Sequence, residues 1–461
     1  MCYYTSSTRR LAGVAAVALA GCRTTSTALP TPGAGLMRIT HVSVVDATSD
    51  QPRQDMTVIV DHGFIRDVSP SDRVVVPRGA TVVDGRGKFL IPGLWDMHVH
   101  LSMEGAWALG EYAAHGVTSV RDMGSAVEMI DSLRRDTAHG ARIGPRIFDV
   151  GPMLESPDAM RGILADRTAA DSTLARRIYL PLATPAAATR AVDSIAHLGA
   201  NLIKGRDFAD VATYWAIANA ARRHGLPFVG HAPFGLAVDP VAMADSGQRG
   251  IEHWYYPVDL MGLPQADYDR ILAAYVRNGT TLDPTLTAWR QHRFIVDSLE
   301  HLLASAERDP RARHLPTALW NLWRKELNSR RTEQNGRPAT QGELGGWNRV
   351  LDKYAHETAT LANAGMRVVT GSDIPFARFP GDALHDELIA LVTEAGLTPR
   401  QALESATLSP ARFFQMQDSL GTVAVGKRAD LVLLDANPFE DIGNIRRVRA
   451  VMRDGAWIWH Q

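Results

Sequence analysis

Residues 89–100, FLIPGLWDMHVH, form an apolar run that ends in two histidines one residue apart. Alternate residues of a strand point to the same side, so His98 and His100 face one way and Val99 the other. Four later apolar runs end in the same manner: ANLIK at Lys204, LPFVGH at His231, RGIEH at His253 and MRVVTGSD at Asp373. Side chains at the C-terminal ends of successive parallel strands converge on one face of an eight-fold βα barrel, so groups distant in sequence meet around one cavity. VTSVRDMG, PRIFDVGPM and TTLDPTLTA complete a set of eight strand candidates that alternate with helical stretches. The prediction is an α/β protein built on a distorted (β/α)8 barrel.

The two ends of the chain read differently. From Met37 to Leu90 short runs alternate apolar and polar residues between Gly, Asp and Pro, and the C-terminus repeats the style in GTVAVGKRADLVLLDA and RVRAVMRDGAWIW. Such patterns predict antiparallel strands. Residues 37–91 and 420–461 are therefore expected to form one small β-sandwich domain from both termini, flanking a barrel domain at 92–419. After the seventh strand, from about Trp289 to His356, the sequence is rich in Arg, Leu and Trp with helical periodicity. Two readings stand for this insertion: a lid over the barrel mouth, or a packing helix pair.

At the N-terminus, Arg9 and Arg10 precede an apolar run from Leu11 to Ala20 that is too short to span a bilayer. Leu19, Ala20, Gly21 and Cys22 follow a pattern that resembles a bacterial lipobox. Residues 1–21 are read as a lipoprotein signal peptide, Cys22 as the lipidation site and 22–36 as a flexible tether. A cell-envelope location, periplasmic or on the outer membrane, follows from that reading. Cys2 and Cys22 are the only cysteines. The body therefore has no disulfide and no thiol nucleophile, and a metal would be held by nitrogen and oxygen, which suits zinc, manganese or iron. With 49 Lys+Arg against 50 Asp+Glu, nothing marks an electrostatic footprint for nucleic acid. A small-molecule partner is expected, and homo-oligomerisation is left open.

Asp373 is short and rigidly placed, and its carboxylate can take a proton from water as general base. Lys204 is the odd member, since an ammonium offers a cation no lone pair. His385, with Glu387, is a candidate for supporting the ligands from behind. Substrate contacts are expected from the loops after the strands: Glu104, Asp122, Met123, Arg206, Phe234, Trp254 to Tyr256 and Arg378. Among these, Tyr255 is a candidate for substrate binding, and Arg206 and Arg378 are candidates for gripping a substrate carboxylate.

LIPGLWDMHVHL, the strand-end Lys204, His231, His253, TGSD and the closing SATLSPARFF and LGTVAVGKRADLVLLDANP together resemble the amidohydrolase superfamily, in its imidazolonepropionase-like and prolidase-like branch. The resemblance covers roughly Met37 to Trp457. It implies a one- or two-metal centre that activates water against amide or related bonds. In the two-ion form, His98, His100 and Asp373 hold the first ion, His231 and His253 the second, and Lys204, carboxylated on its amine, bridges two zinc ions. In the one-ion form, His253 polarises the scissile carbonyl. Prolidase-like relatives usually continue after this lysine with a glycine-rich stretch, whereas Gly205, Arg206, Asp207 and Phe208 follow here, which implies a remodelled pocket on that side. The expected activity is cleavage of a dipeptide or an N-acyl amino acid. The alternatives are a cyclic amidase or deaminase of the imidazolonepropionase type, and an inactive binding lipoprotein.

Overall fold

A computed structural model describes residues 35–74, 79–165, 168–253, 260–333 and 340–461. The signal peptide, Cys22 and almost all of the tether lie outside these residues, as does Tyr255. Among the described residues no helix is long and apolar enough to cross a membrane.

All eight expected barrel strands are present. Leu94–Val99, Val117–Asp122 and Arg146–Asp149 pair in parallel. The third strand resumes at Met153–Glu155 and passes the sheet to Ile203–Gly205, Phe228–Gly230, Gln248–Glu252, Thr281–Asp283 and Arg367–Val368, again in parallel. The barrel closes where Met97 N–H donates to Thr370 O at 2.9 Å and Asp373 N–H to His98 O at 2.7 Å. Asp96 reinforces this seam, accepting from Ser372 N–H (2.9 Å) and Ser372 Oγ (2.6 Å). Several strands hold only two or three paired residues, so the polar residues just beyond them are placed by loop geometry as much as by the sheet.

The surrounding helices follow local rules. Pro185–His197 and Pro240–Asp245 start with proline after a Thr or Asp cap that accepts backbone N–H groups, filling the donors a helix leaves unpaired at its start. In Val211–Arg223, Tyr214, Ile217, Ala218 and Ala221 share one face and are buried against the barrel.

Strands from both termini join in a single eight-stranded sheet in which Met37–Val44 joins the N-terminal strands and Leu431–Leu434 the C-terminal ones. The far edge at Ile65 returns to bond Lys427 O and Gly426 N–H, so the sheet folds over on its own core. A bulge makes the first strand fit. Ile39 faces that core, the register slips between Ile39 and Val42, His41 adopts φ 55°, and Val42 and Val44 then face inward too. In Leu431–Leu434, Leu431 and Leu433 enter the small core while Val432 and Leu434 enter the barrel core. An unbroken LVLL run is what a strand covered on both faces requires.

The insertion after the seventh strand is helical, with Val296–Arg308, Thr317–Glu333 and Gln341–Asn363. It has its own apolar core, in which Leu299, Leu303, Leu319, Trp323 and Leu327 pack against Phe376 and Phe379 of the loop after Asp373. It is thus a packed unit, and it also reaches the cavity at the barrel mouth through Ala288, Trp289, Gln291 and Leu322.

Gly371 lies where the last strand crosses the first. A β-carbon there would stand 2.4 Å from both Asp283 Oδ2 and His98 Cβ. We expect Gly371→Ala to lower unfolding free energy by about 1–3 kcal/mol through overpacking. Denaturant titration would register this, and an unchanged midpoint would refute the close approach.

Candidate active site

His98, His100, Lys204, His231, His253 and Asp373 all line one cavity of about 250 Å³. It lies at the C-terminal ends of the parallel strands, the face on which barrel enzymes carry their sites. The six stand close together: ring centroids are 5.3 Å apart for His98 and His100, 4.9 Å for His98 and His253, and 5.2 Å for His231 and His253. Asp373 Oδ1 is 3.4 Å from His100 Nε2 and 3.8 Å from His98 Nε2, and Asp373 Oδ2 is 3.8 Å from His253 Nε2.

The rings are oriented from behind. His98 Nδ1–H donates to Glu252 Oε2 (3.2 Å), His100 Nδ1–H to Gly124 O (3.4 Å) and His253 Nδ1–H to Thr285 Oγ1 (2.6 Å). His231 hydrogen-bonds the backbone of Arg206. Each of the first three therefore offers the Nε2 lone pair to the cavity, which is how outer partners fix metal-binding histidines. Burial, followed by the charge of neighbouring groups, holds His98 and His231 well below the ordinary histidine range, and burial brings His253 down to about 3. Neutral imidazoles are the form that binds a cation. Burial would raise Asp373, but the His100 hydrogen bond and the field of nearby groups, Lys204 among them, hold it well below the carboxylate range. An ionised carboxylate and Nε2 lone pairs on one cavity wall fit a divalent cation. His98, His253 and Asp373 place one donor atom each within 4.8 Å of one another.

Lys204 is buried, with Nζ 3.1 Å from His98 Nε2, and burial lowers it to about 8. His253 and Asp373 both adopt left-handed backbone, φ 62° and 54°, as does Thr285 at 46°. Such conformations in residues other than glycine are strained, and here they cluster where side chains must turn into the cavity.

The loop expectations divide. Arg206 lines the cavity, ion-paired to buried Glu155 and stacked 5.7 Å from the centre of the Tyr179 ring. Arg378 does not reach it: its guanidinium is spent on Asp386 at 2.7 Å, beside a different pocket. Glu104 is turned inward to the Tyr112 hydroxyl, Asp122 caps the loop at Leu101, Gly124 and Ser125, and Met123 is core. Phe234 is exposed and lines no part of the cavity. His385 is also displaced from its expected place. Its Nε2 binds His115 O at 2.8 Å, because the helix Asp382–Thr393 turns it toward His115, away from the six. Its neighbour Glu387 does act on the site, accepting from the backbone N–H groups of Leu286 and Thr287 and so fixing the loop that carries Thr285.

Sequence reasoning missed the charged group beneath His98. Arg121, wholly buried, donates to Glu252 Oε2 at 2.8 Å, to Asp283 Oδ2 at 3.1 Å and to Met97 O. The signal was a charge in the middle of an apolar strand in VTSVRD, which must be paired if buried. The walls at Met103, Met153, Tyr179, Trp289, Gln291, Leu322 and Ile374 were also missed. They come from connections and from the insertion, whose paths no periodicity encodes.

Fold and site together define a barrel with a polar, metal-type centre at its mouth. The chain belongs to the amidohydrolase family, whose family model matches residues 89–458. The fold is similar to that of a Bifidobacterium longum protein assigned as a prolidase (23% identity, TM-score 0.69, 93% of this chain and 96% of that one). It is also similar to a Xaa-Pro dipeptidase with bound methionine in the active site (20%, 0.67, 93% and 100%). Among curated proteins, similarity is local. The imidazolonepropionase of Fusobacterium nucleatum is 26% identical over 87 residues, 19% of this chain and 21% of that one. The adenine deaminase of Methanothrix thermoacetophila is 39% identical over 83 residues, 16% and 14%. The chain thus matches about a fifth or less of the length of these two relatives.

Arg121 makes a test of the buried charges. Arg121→Met would leave Glu252 and Asp283 without their cation, and we expect a loss of about 3–5 kcal/mol in unfolding free energy. A loss below about 1 kcal/mol by denaturant titration would show that the guanidinium is not what balances them.

Proposed function

We propose that this protein hydrolyses the amide bond of a small peptide-like substrate, a dipeptide or an N-acyl amino acid. The observation that carries the reading is the convergence of six donor-type side chains on one cavity with the rings turned Nε2-inward. Divalent ions held there, two zinc ions in our reading, would lower the pKa of water from 15.7 to about 7 and draw charge from the scissile carbonyl. His98, His100 and Asp373 would hold one ion and His231 and His253 the other. Lys204 would bridge them as a carbamate, since carboxylation converts a repelled ammonium into an anion.

The chain's own groups supply the rest. Asp373, ionised and partly exposed to the cavity, accepts the proton of the attacking water and returns it to the leaving nitrogen. His253, kept neutral by burial and oriented by Thr285, lies on the same wall beside Asp373. Arg206, steadied by Glu155, brings a guanidinium to the cavity that is suited to a substrate carboxylate. Gln291 brings to the cavity a buried side-chain oxygen that has no hydrogen-bond partner among the described residues, suited to an amide N–H of the substrate. Local similarity to an imidazolonepropionase supports a second reading, a cyclic amidase or deaminase with one ion and no role for the lysine.

Metal analysis beside a substrate panel separates the two. Close to two ions per chain, turnover of amides and loss of both in Lys204→Ala is the expected result. One ion with unchanged loading in that variant would favour the ring-opening or deaminase reading, and no turnover with no metal would leave a binding protein.

We also propose that Cys22 is the lipidation site of an envelope lipoprotein, on the sequence pattern alone. Detergent phase partitioning of the protein expressed in a bacterial host should move from the detergent to the aqueous phase in Cys22→Ala. Equal partitioning of the two would refute the anchor.

A further inference from the structure

The cavity does not end at the catalytic groups. Met103, Tyr179 and Leu322 line it and also line a second hollow of about 340 Å³, which runs between the helices Ala169–Ile178 and Thr317–Glu333. Leu174, Ile178 and Ala318 extend the apolar wall beyond the shared residues. Leu322 is 37% exposed in spite of its apolar side chain, and it stands where the two hollows meet. Of the polar groups in the outer hollow, Asn321 and Asp171 are bonded to each other at 3.1 Å across the two helices, Arg324 is paired to Glu307 at 3.1 Å, and Thr168, Lys325 and Asn328 also line it. Met103, Leu174, Ile178, Ala318 and Leu322 give it a wall for apolar atoms beside these polar groups.

The inner cavity adds an independent electrostatic argument. A dipeptide carries an ammonium on the carbon next to the scissile carbonyl, so it needs an acidic partner within the inner cavity. Among the described residues lining that cavity, Asp373 is the only carboxylate, and it is committed to the histidine cluster. Arg206 is the cation that lines it, Lys204 not being one in the carboxylated form proposed above. An ammonium at that position would be desolvated with no acidic partner among the described lining residues, whereas an uncharged acyl carbon meets no such penalty.

We infer that the preferred substrates are N-acyl amino acids with an extended apolar acyl chain, seated in the hollow between these two helices while the amino-acid carboxylate remains in the inner cavity. The inference rests on the amide-hydrolase reading and narrows it. The acyl chain passes Met103, Tyr179 and Leu322 to reach Leu174 and Ala318, so binding energy remote from the reacting bond comes from the outer hollow. Where that energy is realised at the transition state, it raises kcat/KM.

The test uses the metal-loaded full chain and one amino acid acylated with acetyl, butyryl, hexanoyl, octanoyl and decanoyl groups, beside a dipeptide with the same C-terminal residue. Burial of each methylene predicts a rise in kcat/KM of about threefold to fourfold until the hollow is filled. The free dipeptide should be cleaved at least tenfold less well than the hexanoyl compound. Ala318→Trp, which fills the hollow from one helix, and Leu174→Asp, which charges it from the other, should each flatten the series. Their readout is the decanoyl-to-acetyl ratio within one variant, which a general loss of stability or metal does not move. Equal rates along the series, or a dipeptide cleaved as well as the longer acyl compounds, would overturn the inference and leave amide hydrolysis standing. Failure to cleave any member would overturn both.

Discussion

A guanidinium sealed from solvent organises the floor of this site. Arg121 belongs to the second barrel strand, Met97 and His98 to the first, Glu252 to the sixth and Asp283 to the seventh, and all meet in one hydrogen-bonded group. Two buried carboxylates near one another repel, and burial raises both above their ordinary range. Arg121 offsets that repulsion, while Phe413 closes the group from below with its ring centre 5.5 Å from the guanidinium carbon. Such a cluster is weak evidence of stability, because desolvation costs much of what attraction returns. Its consequence is geometric. Two adjacent pairs of strands, the first with the second and the sixth with the seventh, are held in one relative register, and His98 is thereby given a fixed ring plane.

From that floor the wall is built by backbone constraint. Gly371 has no β-carbon because Asp283 and His98 occupy the space, and Asp96 ties the residue that follows it. Asp373 then emerges in a left-handed conformation two residues later, and His253 and Thr285 share that conformation on neighbouring strands. Strain of this kind persists only where surrounding structure over-determines the backbone. Glu387 does so for the loop carrying Thr285, and the seam between the first and last strands does so for Asp373. The eight-stranded sheet is joined to this frame from outside, since its Val432 and Leu434 pack within the barrel core.

The parts legible in the sequence are those where one residue type answers one physical demand. Apolar runs ending in His98, His100, Lys204, His231, His253 and Asp373 marked both the strands and the cavity, because a barrel strand must be buried along its length and polar at its end. The run Leu431–Leu434 was legible as a strand, while its burial on both faces emerged only from the packing of the sheet on the barrel. Arg206 and Arg378 looked alike as sequence, both just past a strand end. What separates them is a partner far along the chain: Glu155 leaves Arg206 at the cavity, while Asp386 draws Arg378 away. His385 failed for a related reason, since its facing is set by how Asp382–Thr393 packs on His115. Trp289, Gln291 and Leu322 belong to an insertion whose helical pattern was evident but whose placement depends on the loop after Asp373.

That placement divides the work of the site. The groups suited to water activation sit at the ends of barrel strands, where sheet hydrogen bonds and the Arg121 cluster restrain them. Other residues lining the cavity sit on connections and on the insertion: Tyr179 between the third and fourth strands, and Ala288, Trp289, Gln291 and Leu322 after the seventh. Sites on strands hold geometry more closely than sites on loops. The two sets also have separate apolar cores, one within the barrel and one among Leu299, Trp323 and Phe376. A substitution in the second core can therefore reshape the hollow beside Leu322 while the strands beneath His98 keep their register. The strand ends and the outer wall of the cavity thus rest on separate cores, and Asp373 is where they meet: it follows the last barrel strand, and the loop that leaves it supplies Phe376 and Phe379 to the insertion's core.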